Sequence, residues 1–130
     1  MPYTSSDKEI IKDTLAQIED AIDQIIAWSA GISCSDDYLT STEGMKTLAA
    51  TCMLLEAIGE GVKKIDRRTS GTLLTPVCPS IPWKDIAGMR DHIAHGYFQI
   101  DAELVFDVVT YNLVPLKEAV IELRTNPVLE

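Results

Sequence analysis

The segment from Gly88 to Asp101, GMRDHIAHGYFQID, contains the side chains of this chain that are best suited to acid–base chemistry. It includes Arg90 and both histidines of the protein, His92 and His95. Arginine offers a permanent, forked positive charge that suits a phosphate group, and histidine exchanges a proton near neutral pH. Such groups suffice for metal-free cleavage of RNA, in which a base activates the 2′-hydroxyl and a cation stabilises the charged transition state.

Two neighbouring side chains fit the same chemistry. Asp91 precedes His95 by four residues, so on a helix its carboxylate could orient the imidazole. Tyr97 could bind RNA, stack on a base, or be modified. The products of the reaction would be a cyclic phosphate and a free 5′-hydroxyl.

Spacing alone leaves other interpretations of these residues open. Single histidines on helices are usually structural, and an arginine–aspartate pair is usually a surface ion pair of little energetic weight. The sequence supports a metal site even less than catalysis. His92 and His95, with Asp91 beside them, lack a third well-spaced ligand. We therefore expect no metal and no cofactor. His92 is interpreted as incidental, with a second proton carrier as the alternative.

The arginine and the second histidine do not share a face of one regular helix. At about 100° per residue, Arg90 and His95 lie roughly 140° apart, whereas Arg90 and Tyr97 nearly share a face. His95 can join Arg90 only if the helix loosens before Gly96, or if a second copy of the chain supplies one partner. The surrounding elements therefore decide whether a site forms.

Hydrophobic residues recur three and four positions apart along most of the chain, which is typical of amphipathic helices. This spacing predicts a first helix over roughly residues 6–29 and a second that Gly71 ends. The apolar stripe of the second helix includes Met45 and Gly59, and a glycine there would let another helix approach closely. A loop or short turn of helix is expected between the two, around SCSDDYLTS.

The second half of the chain predicts two further helices. TPVCPSIPWKD has three prolines and cannot be a regular helix. The next helix starts near Pro82, turns Trp83, Ile86, Met89, Ile93 and Ala94 inward, and is broken at Gly96.

Asp101 is a candidate cap for the last helix, and Pro115 should kink or split it. VFDVVTY could pass for a strand, but its helical surroundings favour a helix. The predicted fold is an all-α bundle of four to five helices forming one domain, residues 1–130.

Composition limits the classes of function. The net charge of −9 disfavours nucleic-acid binding except at a local basic site. One stretch contains four cations that could form such a site: Lys63, Lys64, Arg67 and Arg68. The simpler interpretation is a solvated helix end, since cations favour helix C-termini. Three widely spaced cysteines indicate reduced thiols in a cytoplasmic protein. We expect no signal peptide and no membrane span.

The residues of the opening segment resemble a known signature. Arg90, His95 and Tyr97 match the R-x-x-x-x-H-x-Y motif of HEPN-domain proteins. Longer stretches resemble blocks of the HepT toxins of the HEPN/MNT toxin–antitoxin systems: IPWKDIAGMRDHIAHGYFQID, LLEAIGEGVKKI and DVVTYNLVPLKEAV. The resemblance covers nearly the whole chain.

This resemblance implies a HEPN-type up-and-down helical bundle and a homodimer whose two motifs face each other across a cleft. It implies a toxin that acts as a metal-independent endoribonuclease, with Arg90 and His95 as the catalytic pair and Asp91 as a supporting residue; His92 is a second candidate for support. A nucleotidyltransferase antitoxin would neutralise the toxin by attaching AMP to Tyr97, which adds negative charge where RNA phosphate binds. The alternative is a non-catalytic binding subunit that partners the nucleotidyltransferase.

Overall fold

Helices dominate the computed structural model, which describes residues 3–130 apart from the side chain of Tyr97. Within that part of the chain the backbone forms no strand, which confirms the all-α prediction. The α-helices are α1 (Ser5–Trp28), α2 (Thr42–Thr69), α3 (Leu74–Val77), α4 (Trp83–Ala87), α5 (Met89–Ile93), α6 (Ala102–Asp107) and α7 (Leu113–Arg124).

The two long helices begin at side-chain caps. The Thr4 hydroxyl accepts a hydrogen bond from the Asp7 backbone N–H at the start of α1, and the Ser41 hydroxyl accepts one from Gly44 at the start of α2. Between them lies a 3₁₀ turn, Ser35–Tyr38, where the sequence predicts a short turn of helix. Helix α2 ends at Thr69, and the two residues after it, Ser70 and Gly71, both have positive φ, as the glycine at 71 predicts.

Helix α1 packs against α2 and α7, and α2 also packs against α4 and α5. The stripes of apolar residues on these helices form one core. Its fully buried aliphatic side chains include Ile11, Ile22, Ile25, Leu55, Ile58, Ile65, Leu74, Ile93 and Leu113. Met45, placed on the inward stripe of α2 by the spacing argument, is 49% exposed. That prediction is wrong because the 3₁₀ turn Ser35–Tyr38 covers the face of α2 that carries the buried Gly44 and leaves Met45 open to solvent. A helical period alone does not tell which face a neighbouring segment covers.

Gly59 lets α4 approach α2 closely. A Cβ atom at this position would lie 2.7 Å from the backbone oxygen of Ile86, which confirms the predicted close approach of another helix. The start of α4 is fixed by Trp83, whose buried indole N–H donates to the backbone oxygen of Cys78 at 2.9 Å. These two contacts determine where α4, and α5 directly after it, lie on the bundle.

The third predicted helix is shorter than the sequence indicates. It is divided at Gly88 into α4 and α5, and it ends at Ile93 instead of Gly96. Ala94 is already extended because it forms a β-bridge with Ile100, which removes it from the helical hydrogen-bond pattern. The proline-rich segment before it contains a single helical turn, α3, and no longer regular helix.

The last helix is interrupted, as the proline at position 115 predicts. Between α6 and α7 the backbone makes a π-helical turn over Val108–Asn112, and the Leu113 N–H donates to the Val108 oxygen. The VFDVVTY segment is therefore helical and not a strand. The Asp101 carboxylate accepts a hydrogen bond from the Leu104 N–H and caps α6, as predicted.

Among residues 3–130, none of the helices combines the length and the apolar character that crossing a membrane requires.

Candidate active site

Helix α5 presents Arg90 on the surface. The Arg90 side chain is 75% exposed, and its Nε lies 3.9 Å from a carboxylate oxygen of Glu56 on α2. This contact is at the long limit of an ion pair and largely hydrated, so it contributes little stability. Because the carboxylate lies beside Nε, the terminal nitrogens of the guanidinium remain accessible to an anion such as phosphate.

The chain leaves the helix before it reaches His95. The extended Ala94 opens a short loop that two backbone bonds close: Asp101 N–H to Ile93 oxygen at 2.8 Å, and His95 N–H to Gln99 oxygen at 3.2 Å. His95 is exposed on this loop. The separation of roughly 140° expected on a regular helix therefore does not apply, because the helix ends in time to redirect the imidazole.

Gly96 allows the loop to turn. Its φ of +107° lies in a region that residues with a Cβ rarely adopt. The sequence pattern predicted that Gly96 ends a helix. It instead shapes the turn after His95, because the helix has already ended at Ile93. The following 3₁₀ turn, Tyr97–Gln99, presents Phe98 with 94% of its surface exposed.

Asp91 is exposed on α5, but the helical spacing that would place it beneath His95 is absent. Two residues four apart approach each other only while the backbone stays helical, and the backbone is extended at Ala94. The helical spacing on which the orientation of His95 by Asp91 was predicted is therefore absent, and a supporting role of Asp91 stays a prediction. The predicted AMP-attachment site is placed by its backbone alone, since the side chain of Tyr97 lies outside the described residues.

His92 faces a different neighbour from Arg90. It lines a groove between α4–α5 and the last helices, and its Nε2 lies 3.7 Å from the position that a Cβ on Gly88 would occupy. Arg90, by contrast, contacts α2. The structure thus separates the two side chains, and a direct role for His92 beside Arg90 has no support in this chain taken by itself.

Glu56 is the neighbour of the site that the spacing analysis did not identify. The spacing did place Glu56 and Glu60, four residues apart, on one face of α2. Nothing in the sequence indicated that α5 would pack beside that face. Helix packing, and not local spacing, brings this carboxylate to Arg90.

The cationic stretch at the end of α2 resembles a solvated helix end. All four of its side chains are exposed, and two of them pair with carboxylates: Lys63 with Glu60 at 3.4 Å and Arg68 with Asp7 at 3.2 Å. Arg67 and Arg68 lie in the last turn of α2, where cations favour the helix dipole. Within the described residues, no three histidine, cysteine or acidic side chains group closely enough to hold a metal ion.

An exposed arginine on a short helix, followed by an exposed histidine on a tight loop of an all-helical bundle, defines a candidate phosphodiester site of the HEPN type. The family described as "Ribonuclease HepT-like" matches residues 11–123 of this chain. Because this match covers most of the sequence, the chain belongs to the HepT-like family of HEPN-type ribonucleases, which confirms the resemblance seen in the sequence.

Several known proteins are similar to this chain over most of its length. The chain is 34% identical over 113 residues to "Probable ribonuclease HepT" of Thermococcus cleftensis, covering 87% of this chain and 94% of that protein. It is 32% identical over 111 residues to "Putative RNase MJ1216" of Methanocaldococcus jannaschii, covering 85% and 84% of the two chains. "Putative RNase MJ0125" of the same organism shows 32% identity, covering 85% and 88%. No solved structure gives a significant match.

Proposed function

We propose that this protein is the toxin of a toxin–antitoxin pair and acts as a metal-independent endoribonuclease. Arg90 and His95 are the catalytic residues in this proposal. The observation that carries it is the exposure of both side chains on either side of the helix end at Ile93. Membership of the HepT-like family supports the assignment.

The reaction needs one proton acceptor, one proton donor and one fixed positive charge. A neutral imidazole of His95 removes the 2′-hydroxyl proton, and the freed oxygen attacks the adjacent phosphorus. The bond to the 5′-oxygen breaks, and this oxygen takes up a proton to leave as a hydroxyl. The guanidinium of Arg90 holds the phosphoryl oxygens, whose negative charge grows in the transition state. The products are a 2′,3′-cyclic phosphate and a free 5′-hydroxyl.

A second copy of the chain completes the proposed site. One imidazole cannot accept one proton and donate another in the same instant, whereas two His95 side chains facing each other can divide these tasks. The homodimer with paired motifs meets this requirement. Attachment of AMP to Tyr97 by a nucleotidyltransferase would then silence the toxin, since the added phosphate repels the RNA backbone.

The test is RNA cleavage in excess chelator, with product ends analysed for cyclic phosphate. Arg90→Ala should lower the rate about 100- to 1,000-fold, and His95→Ala by about 100-fold or more. Arg67→Ala, which removes an exposed arginine at the far end of α2, is the matched charge control and should cut RNA like the wild type. His92→Ala tests the alternative that this histidine is a second proton carrier.

Several results would refute this assignment: equal cleavage by wild type and His95→Ala, cleavage abolished by the chelator, or equal losses in Arg90→Ala and Arg67→Ala. A loss in His92→Ala as large as in His95→Ala would instead make His92 the second proton carrier.

One observation favours a second candidate, a non-catalytic subunit that binds the nucleotidyltransferase. The Glu56 carboxylate lies beside Arg90 in a chain of net charge −9, and negative charge weakens the attraction of RNA. Expression without the nucleotidyltransferase distinguishes the two candidates. Growth arrest that disappears with Arg90→Ala supports the nuclease, while harmless wild-type protein that still binds the nucleotidyltransferase supports the binding subunit.

A further inference from the structure

A groove with an apolar floor runs between α4–α5 and the last two helices. Its volume is about 450 Å³, which lies within the range of pockets that bind small molecules. The floor includes Ile86, Val108 and Leu116, all three buried. We name it the α5–α7 groove.

The π-helical turn shapes one wall of this groove. Val108 and Asn112, its first and last residues, both line the groove, and Pro115 follows on the same wall. An extra residue in a helical turn changes which side chains face a neighbouring helix, and such turns often occur at functional sites. Here the change places the Asn112 side chain, a donor and an acceptor, at an otherwise apolar wall.

The opposite wall carries Asp85 and His92, both exposed. Within the described part of the chain, no lysine or arginine lies within ion-pair distance of Asp85. The groove lining contains neither lysine nor arginine. An anionic ligand is therefore disfavoured, whereas a flat, uncharged ring with outward N–H donors has an apolar surface to cover and acceptors to bind.

We propose that the α5–α7 groove binds a nucleobase of the RNA substrate and prefers guanine. This inference rests on the proposed ribonuclease function and assigns a base-reading site to it. Single-stranded RNA is recognised through bases that are splayed out and hydrogen-bonded on their edges. The groove supplies apolar contacts for the ring, and Asp85 and Asn112 supply the hydrogen-bonding groups.

The preference follows from the arrangement of donors on the base. Guanine presents two adjacent donors, N1–H and the N2 amino group, which match the two oxygens of one carboxylate. Uracil presents a single N–H between two carbonyl oxygens, which the Asp85 carboxylate repels. Adenine and cytosine present an amino group beside an unprotonated ring nitrogen, so one carboxylate oxygen would meet a lone pair. Asn112 can donate to the O6 acceptor of guanine.

The position of the groove fits a nucleotide neighbouring the cleaved bond. Helix α5 turns Arg90 toward α2 and His92 toward the groove. A strand whose phosphate is held by Arg90 would thus cross this short helix to place a neighbouring base in the groove. Recognition there would fix which phosphodiester bond is presented for cleavage.

The experiment measures binding separately from cleavage. Fluorescence anisotropy of full-length His95→Ala protein with short single-stranded oligoribonucleotides, identical except for one G, A, C or U, reports base preference without cutting. We expect the guanine-containing strand to bind about tenfold tighter or more. Asp85→Asn should reduce this preference to about twofold or less, and Asn112→Ala should weaken it. Asp107→Asn removes an exposed carboxylate from α6, outside the groove lining, and is the matched control.

Equal binding of all four strands, or a guanine preference that survives Asp85→Asn, would overturn the inference. So would a change in oligomeric state on Asp85→Asn with base preference intact, because a second protein chain would then be the occupant. Cleavage by wild type without base preference would reject the groove assignment and leave the nuclease standing. Guanine-selective binding without any cleavage would reject the nuclease and leave the groove assignment standing. Thermal melting of each variant checks that it is folded.

Discussion

Gly59 offers a quantitative test of how the candidate site is positioned. In Gly59→Ala, the new Cβ would lie 2.7 Å from the Ile86 backbone oxygen and 3.4 Å from that of Ala87. Backbone of a neighbouring helix cannot rotate away, so α4 must shift by several tenths of an ångström. Such overpacking costs about 1–3 kcal/mol, and alanine regains up to about 1 kcal/mol of helix propensity. We expect a net loss of about 1–2 kcal/mol in the free energy of unfolding.

Gly61→Ala is the matched control on the same helix. Its new Cβ would meet only side-chain carbons, from 3.1 Å at Ile18 Cδ1 to 3.3 Å at Thr14 Cγ2. Those atoms can move at low cost, so the helix-propensity gain should make this variant neutral to about 1 kcal/mol more stable. Comparing the two variants cancels the propensity gain and isolates the clash with α4.

Urea and thermal unfolding of both variants provide the measurement. A loss of 1 kcal/mol lowers the Tm of a chain of this size by roughly 3–6 °C. Because α4 leads directly into α5, Gly59→Ala should also reduce any Arg90-dependent RNA cleavage under conditions in which the variant is fully folded. A Gly59→Ala protein as stable as Gly61→Ala would show that the α2–α4 contact is looser than the structure indicates, and the reasoning would be refuted.

The remaining predictions concern the thiols and the α4 anchor. Burial raises the pKa of Cys52 and Cys78 to about 11, whereas an unfolded thiol ionises near 8.5. The native state therefore binds more protons above that value, and the free energy of unfolding should fall as pH rises from about 8.5 to 11. A Cys52→Ala/Cys78→Ala double variant should lose most of this slope. Native protein treated with an alkylating reagent at pH 8 should be modified at the exposed Cys34, and at all three cysteines in urea; rapid native labelling of Cys78 would contradict its burial. Trp83→Phe removes a buried 2.9 Å hydrogen bond and should cost about 1–3 kcal/mol, whereas an unchanged urea midpoint would mean that this bond does not anchor α4.

The local sequence determined the two long helices and identified the candidate functional residues. Periodic apolar residues specified both long helices, because a helix can bury a stripe only at its own period. Asp101 marked the start of α6, and Gly59 marked a close helix contact, since each feature depends on one residue and its immediate backbone. The motif that contains Arg90 and His95 could be recognised for the same reason, and it indicated the HepT-like family.

Tertiary structure decided how these groups are arranged. The end of α5 at Ile93 depends on a backbone bridge to residue 100, and the neighbour of Arg90 is Glu56, thirty-four positions earlier. Met45 keeps the spacing of a core residue yet stays exposed, because the segment that packs at that end of α2 covers the neighbouring face with Gly44. The helical period predicts which residues share a face. Hydrogen bonds and packing between distant segments determine where a helix ends and which segment packs against that face.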